Sequence, residues 1–206
     1  MSQEQAYRSW RQVRAVYDNT TIRVYQAYRT DIADAALQAG RFASPPFKMG
    51  RMTWIKPSFL WMMYRAGWGL KDEGQARILA IDMCRRGFDW ALANSCLIHA
   101  EPGRSEPEWK QQKAEAPVRI QWDPERNLAL APLPHRALQI GLGGEAVHRY
   151  VQEWTCRIED VTADARRIHA LVLAGDLEGA GRLLPPERPY PLAPELAHHI
   201  GAGDSA

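Results

Sequence analysis

The chain has 206 residues, 46% of them apolar and 24% charged, which suits one folded domain with a real core and excludes disorder over most of its length. Its 26 Lys/Arg nearly balance its 24 Asp/Glu for a net charge of +2, and the sequence pI of 8.5 falls short of a dedicated nucleic-acid binder. The balance is uneven, however. Residues 1–77 hold twelve Lys/Arg against six Asp/Glu, so the first third suits phosphates or a solvated basic face.

In chain order, Tyr7, Trp10, Val13 and Val16 recur every three residues, which predicts a short amphipathic helix ahead of a break at Asp18-Asn19. Thr21 to Tyr28 alternates as a strand, with Ile22, Val24, Gln26 and Tyr28 on one face. An inward Gln26 needs hydrogen-bond partners or a cleft. Thr30 is a predicted N-cap, Asp31 and Asp34 suit the first turn, and Gly40 closes the helix. A Pro-rich loop bearing Lys48 and Arg51 then leads to Thr53–Gly69, the most distinctive stretch of the chain. It places Trp54, Trp61 and Trp68 seven residues apart. Thr53–Lys56 reads as a strand, and Pro57-Ser58 open a helix that is apolar on every side and ends at Gly67 and Gly69. Lys56 and Arg65 are cations among these aromatic rings. Either they snorkel to solvent, or they mark a pocket for a flat anion.

Further on, Ala76–Met83 reads as a strand, Phe88–Asn94 as a short helix, and Glu101–Ala116 as a loop or polar helix. Val118–Trp122 is a strand, Asp123–Arg126 a turn, Leu128–Pro134 a connector and His135–Leu142 a strand. Gly143-Gly144 lead to a helix over Glu145–Trp154, then a strand over Thr155–Thr162, then two helical pieces between Asp164 and Leu184, divided by Gly175 and Gly179. These elements predict a single α+β domain over residues 1–184, with a mixed, mostly antiparallel sheet flanked by helices, and a Pro/Gly-rich tail over 185–206.

Three cysteines (Cys84, Cys96, Cys156) form no Cys-x-x-Cys pair, and Met-Ser-Gln-Glu-Gln lacks the features of a secretory signal. The expectations are reduced thiols, a cytoplasmic protein, no metal site and no membrane partner. No apolar run approaches the roughly 20 residues of a membrane helix. Gly141-Leu-Gly-Gly144 sits between strand and helix but lacks the Gly-x-Gly-x-x-Gly spacing of a phosphate loop. The remaining polar and aromatic set is Tyr25, Gln26, Tyr28 and Arg29, then Trp54, Lys56, Ser58, Trp61, Tyr64 and Arg65, then Trp122, Asp123 and Arg126, with Arg136 and Gln139. It is rich in stacking faces and guanidinium groups and poor in acid–base pairs, so it suits a nucleotide, another phosphorylated ligand or nucleic acid better than hydrolysis.

Val24–Tyr28, Thr53–Gly69, Gln121–Arg126 and Gln139–Leu142 resemble the domain-of-unknown-function 4291 family over about Asp18 to Thr162. The resemblance brings no established activity. A more distant one is to the ADP-ribosyltransferase superfamily, carried by the strand ending in Tyr25–Arg29, the helix to Gly40 and the strand Thr53–Lys56. That resemblance implies NAD as cofactor, with Gln26 standing where many members have His. Arg29 and Gln26 would hold ribose or phosphates, Tyr64 or a tryptophan would stack nicotinamide, and Glu145 or Gln139 would take the acidic position. The implied catalytic set is Gln26, Tyr64 and Glu145, with transfer of ADP-ribose to nucleic acid or a small molecule. Two other readings stand beside it: a non-catalytic nucleic-acid-binding module using basic and tryptophan residues, and an interaction protein whose three central tryptophans are core.

Overall fold

The computed structural model describes residues 10–99 and 105–203. In chain order it contains β1 (Arg14–Ala15), β2 (Thr21–Tyr28), α1 (Thr30–Ala39), β3 (Thr53–Ile55), α2 (Phe59–Ala66), β4 (Arg77–Cys84), α3 (Arg85–Ala93), β5 (Ser95–Leu97) and α4 (Glu106–Glu115). These are followed by β6 (Val118–Arg126), β7 (Pro132–Leu142), α5 (Glu145–Arg149), a single π-helical turn (Tyr150–Trp154), β8 (Thr155–Asp160), α6 (Thr162–Leu173), α7 (Leu177–Arg182), β9 (Arg188–Pro189) and α8 (Pro194–His199). The fold is α+β. A three-stranded sheet, β2-β4-β8, is antiparallel throughout. A four-stranded sheet runs β3-β7-β6-β5, with only β5-β6 parallel. β1 pairs with β9 in a two-stranded ribbon.

The alternation of β2 sorts its side chains onto two cores. Ile22 and Val24 face a cluster that includes Leu79, Ile81, Ile140 and Tyr150. Tyr25 faces a second, with Phe59, Met63, Trp68 and Ile168. β4 alternates in the same way, Leu79 and Ile81 to one cluster and Ile78 and Ala80 to the other. A strand buried on both faces reads as the continuous apolar run seen in its sequence. Arg23 at the sheet surface is held by Asp82 at 2.7 Å and Glu159 at 2.6 Å.

Ser58 caps α2, its Oγ accepting from the Trp61 N–H at 3.1 Å, and Gly67 ends the helix at φ 54°. Trp68 also has a positive φ, 57°, and lies stacked on His169 at 5.2 Å. α2 is not buried all round, because Tyr64 and Arg65 are exposed. Its apolar belt is interrupted where Tyr64 meets the Arg126 guanidinium and Arg65 reaches towards Gln75.

The structure departs from the sequence reading in four further places. Residues 10–17 are extended rather than helical: Val13 C=O accepts from Tyr190 N–H at 2.8 Å, and β1 takes β9 as its partner. Residues 1–9 of that predicted helix lie outside the described residues. Arg29, not Thr30, precedes α1 as its N-cap. Asp123–Arg126 is no turn, since β6 runs on to Arg126 and absorbs Pro124 at a register shift. The segment from Pro185, expected as a tail, packs on the first core. Tyr190 and Ile200 are buried there, the Trp122 indole N–H donates to Ile200 C=O at 2.8 Å, and Tyr190 OH donates to Asp89 at 2.8 Å. These partners are far off in sequence, so no local pattern announces them. Among the described residues no helix is long and apolar enough to cross a membrane, and the three cysteines are unpaired.

Candidate functional site

Where the two larger sheets part, β2 and β3 touch through one isolated bridge. Tyr25 N–H donates to Lys56 C=O at 2.7 Å and Lys56 N–H donates to Tyr25 C=O at 3.2 Å. Beside this bridge lies a cavity of about 680 Å³, lined from β2, α1, the 46–52 loop, β3, α2, the 72–75 turn and β7.

Gln26 forms part of the cavity's inner wall and is buried. Its Nε2 lies 2.7 Å from Thr53 Oγ1, 2.8 Å from Tyr28 OH and 3.2 Å from Trp54 C=O. Its Oε1 accepts from Tyr150 OH at 2.9 Å. Two amide hydrogens face three acceptors, so the amide is fully committed to protein. Gln26 therefore locks β2, β3 and the π turn together and has no hydrogen free for a ligand. Burial pushes the Tyr28 and Tyr150 hydroxyls far above the ordinary tyrosine range and keeps them neutral.

Lys56 is the opposite case. It is buried, and its Nζ makes a single long hydrogen bond, 3.5 Å to Trp54 C=O. Among the described residues it belongs to no ion pair. Burial, reinforced by the charge of Arg65 and opposed by Asp123, pulls its pKa down to about 8. At neutral pH an ammonium with almost no partner thus borders the cavity. Around it the lining carries four more cations, Arg29, Lys48, Arg51 and Arg65, all exposed, against one carboxylate, Asp72. Arg29 is already paired with Asp31. Trp54, Met52, Met62 and Phe47 supply apolar wall. From β7, Gln139 lines the cavity and donates to Asp123 at 2.7 Å, while Gln121, its cross-strand neighbour, donates to the other Asp123 oxygen at 2.8 Å.

Of the residues singled out from sequence, Gln26, Tyr28, Arg29, Trp54, Lys56, Arg65 and Gln139 line this one cavity, and Asp123 stands behind Gln139. The others lie elsewhere. Tyr25 faces the second core and a smaller recess of about 290 Å³. Trp61 stacks on Tyr64 at 5.1 Å, with the Arg126 guanidinium 3.6 Å from the Tyr64 ring centre. Ser58 donates to the buried Glu125 at 2.9 Å. Trp122 anchors Ile200, and Arg136 covers Trp10 at 4.9 Å. Glu145 is exposed on α5, 3.8 Å from Arg149, and does not line the cavity. Gln26, Tyr64 and Glu145 therefore do not converge. Sequence reasoning passed over Thr53, Tyr150 and the 72–75 turn. Thr53 and Tyr150 look like ordinary strand and helix residues, and only the Gln26 network reveals them.

Gly141-Leu-Gly-Gly144 is a packing device. A Cβ on Gly141 would lie 2.8 Å from Met52 Sδ and 2.9 Å from Trp54 Cζ2, so its absence lets those two side chains form the cavity wall.

No curated protein matches the chain. Residues 12–190, which span both large sheets, every element lining the cavity and the β1-β9 ribbon, match the family described as Domain of unknown function (DUF4291), and the chain belongs to that family.

Proposed function

We propose that this cavity binds NAD or a related nucleotide, and that the chain is an ADP-ribosyltransferase-like protein. The observation that carries the reading is Lys56, a buried ammonium with one 3.5 Å hydrogen bond, in a lining of five cations and one carboxylate. Burying an ammonium without a counter-charge is costly, and a ligand phosphate would supply the missing charge. Arg65, Arg51 and Lys48 stand at the rim for a second phosphate, and Trp54 offers an indole face for a ring. A volume of about 680 Å³ falls within the usual range for small-molecule sites.

The transferase part of the reading draws on layout. Gln26 from β2, Trp54 from β3, Lys56 just after it and Gln139 from β7 meet at one cavity, as the superfamily resemblance implies. The negative group that would offset oxocarbenium-like charge is Asp123, acting through the Gln139 amide, in place of Glu145.

Calorimetric titration and thermal shift test this with NAD, ADP-ribose, ATP and short single-stranded DNA and RNA, on wild type, Arg65→Ala and Arg51→Ala. NAD or ADP-ribose at a hundred times its Kd should stabilise wild type by about 2.7 kcal/mol, and each variant should bind roughly tenfold more weakly. Stabilisation by oligonucleotides alone, falling steeply with salt, would transfer the site to the nucleic-acid-binding reading. No response to any of them would end both readings.

A further inference from the structure

Lys56 is more than a counter-charge. The polar groups around its Nζ are occupied. The Gln26 amide, Thr53 and Tyr28 bond one another, and Asp123 is clamped by two glutamine amides. Lys56 lines the cavity, and its amine has one distant carbonyl, Trp54 C=O at 3.5 Å. It is the only buried one of the chain's five lysines, since Lys48, Lys71 and Lys110 are exposed and Lys113 is partly so. Burial makes the ammonium surrender its proton more readily than a solvated one, and the neutral amine is a nucleophile towards carbonyl carbon. With a ligand phosphate on the exposed rim cations Lys48, Arg51 and Arg65, the rest of the molecule would lie beside Lys56.

We propose that Lys56 captures the aldehyde of a ring-opened aldose phosphate or diphosphate as an imine. ADP-ribose freed from NAD belongs to this class, so the inference rests on the cavity being a phosphate-ligand site. The Nζ lone pair forms the C–N bond, and the aldehyde oxygen takes up a proton to give a carbinolamine. That oxygen then leaves as water with the two hydrogens the amine has lost, and the C=N bond remains. No oxidant or reductant takes part, and hydrolysis restores the amine.

The test is reductive trapping. The full chain is incubated with ribose 5-phosphate, ADP-ribose or unphosphorylated ribose in the presence of cyanoborohydride, followed by intact mass and peptide mapping. The expected result is one adduct, on Lys56, formed at least about tenfold faster with the phosphorylated sugars than with ribose. Lys56→Arg keeps a cation but forms no imine and should show no adduct, whereas Lys71→Arg should be trapped like wild type. Mapping on wild type decides the matter even if Lys56→Arg folds poorly. Adducts spread over Lys48, Lys71, Lys110 and Lys113 at rates equal to Lys56 would overturn the inference. No adduct while NAD still stabilises wild type would overturn it and leave the nucleotide reading standing. No adduct together with no NAD response would remove both.

Discussion

A buried lysine without an ion pair is a cost that folding alone has no reason to bear, and its sign can be measured. The Lys56 pKa of about 8 lies below its ordinary 10.5, so between these values the unfolded chain binds a proton that the folded chain has released. Stability contributed by this group therefore rises as pH climbs from 8 to 10.5, and below 8 the buried charge costs on the order of 3 kcal/mol. Lys56→Met should raise the urea midpoint at pH 7 and remove that rise, while abolishing nucleotide binding. A variant less stable than wild type at pH 7 would show that Lys56 has a partner in solution. Glu187 works in the other direction. Burial, and secondarily the nearby Glu125, push its carboxyl up to about 8 from 4.5, against the pull of the Phe59 N–H, which donates to it at 2.7 Å. The residue as a whole is only partly buried; the enclosed part is its carboxyl end. From pH 4.5 to 8 the unfolded chain loses a proton that the folded chain keeps, so stability falls through that window. Glu187→Gln keeps an acceptor for Phe59 N–H and should flatten the fall, gaining at least about 1 kcal/mol at pH 8 relative to pH 5. Together the two groups place a minimum of stability near pH 8, readable in urea midpoints across pH.

At the scale of elements, the cavity depends on how β3 sits between β2 and β7. β3 is three residues long and pairs with β7 from Thr53↔Leu142 to Ile55↔Ile140. Gly141 is opposite Trp54 in that register, and its missing side chain sets where the indole lies. Gly141→Ala should cost about 1–3 kcal/mol, as overpacking does, and push Trp54 and Met52 towards the cavity. Nucleotide affinity should fall at least about tenfold with a Tm still well defined. Unchanged affinity would mean that the Trp54 wall is not part of the binding surface. β2 was legible as a strand down to its two faces because alternation is a local property. β6 was legible only to Trp122, because a proline with charged neighbours reads as a turn unless a partner strand absorbs it at a bulge. That extension places Asp123 beside Gln121 and Gln139, and it brings Glu125 to the N-terminus of α2, where Ser58 donates to it.

Across the whole molecule, the first and last described segments close on each other. β1 meets β9, Arg11 exchanges backbone bonds with Gly203 at 2.9 Å each way, and Trp122 holds Ile200. Removing residues 185–206 would strip the partner from β1, uncover the core at Tyr190 and Ile200 and free the N-terminus of α2 from Glu187. The truncated chain should lose several kcal/mol, roughly the sum of two large side-chain deletions, and melt with reduced cooperativity by circular dichroism. A melt like that of wild type would show that the segment is an accessory.

The α+β class, the strands β2, β4 and β7, and the cap and end of α2 were all determined by the sequence itself. Each rests on local rules of alternation, capping and glycine geometry that act within a few residues. Tertiary structure alone decided which of those residues share a site. Lys56 could have snorkelled, as the exposed Arg65 does, and Gln26 could have been a free amide. Long-range pairing of β3 with β7, and the Tyr25–Lys56 bridge, instead committed Gln26 to the protein and buried Lys56. Glu145 was set apart as well: it is exposed on α5 beside Arg149 and lies outside the cavity lining. Burial and partnership depend on contacts made across the whole chain, and local sequence rules do not encode them.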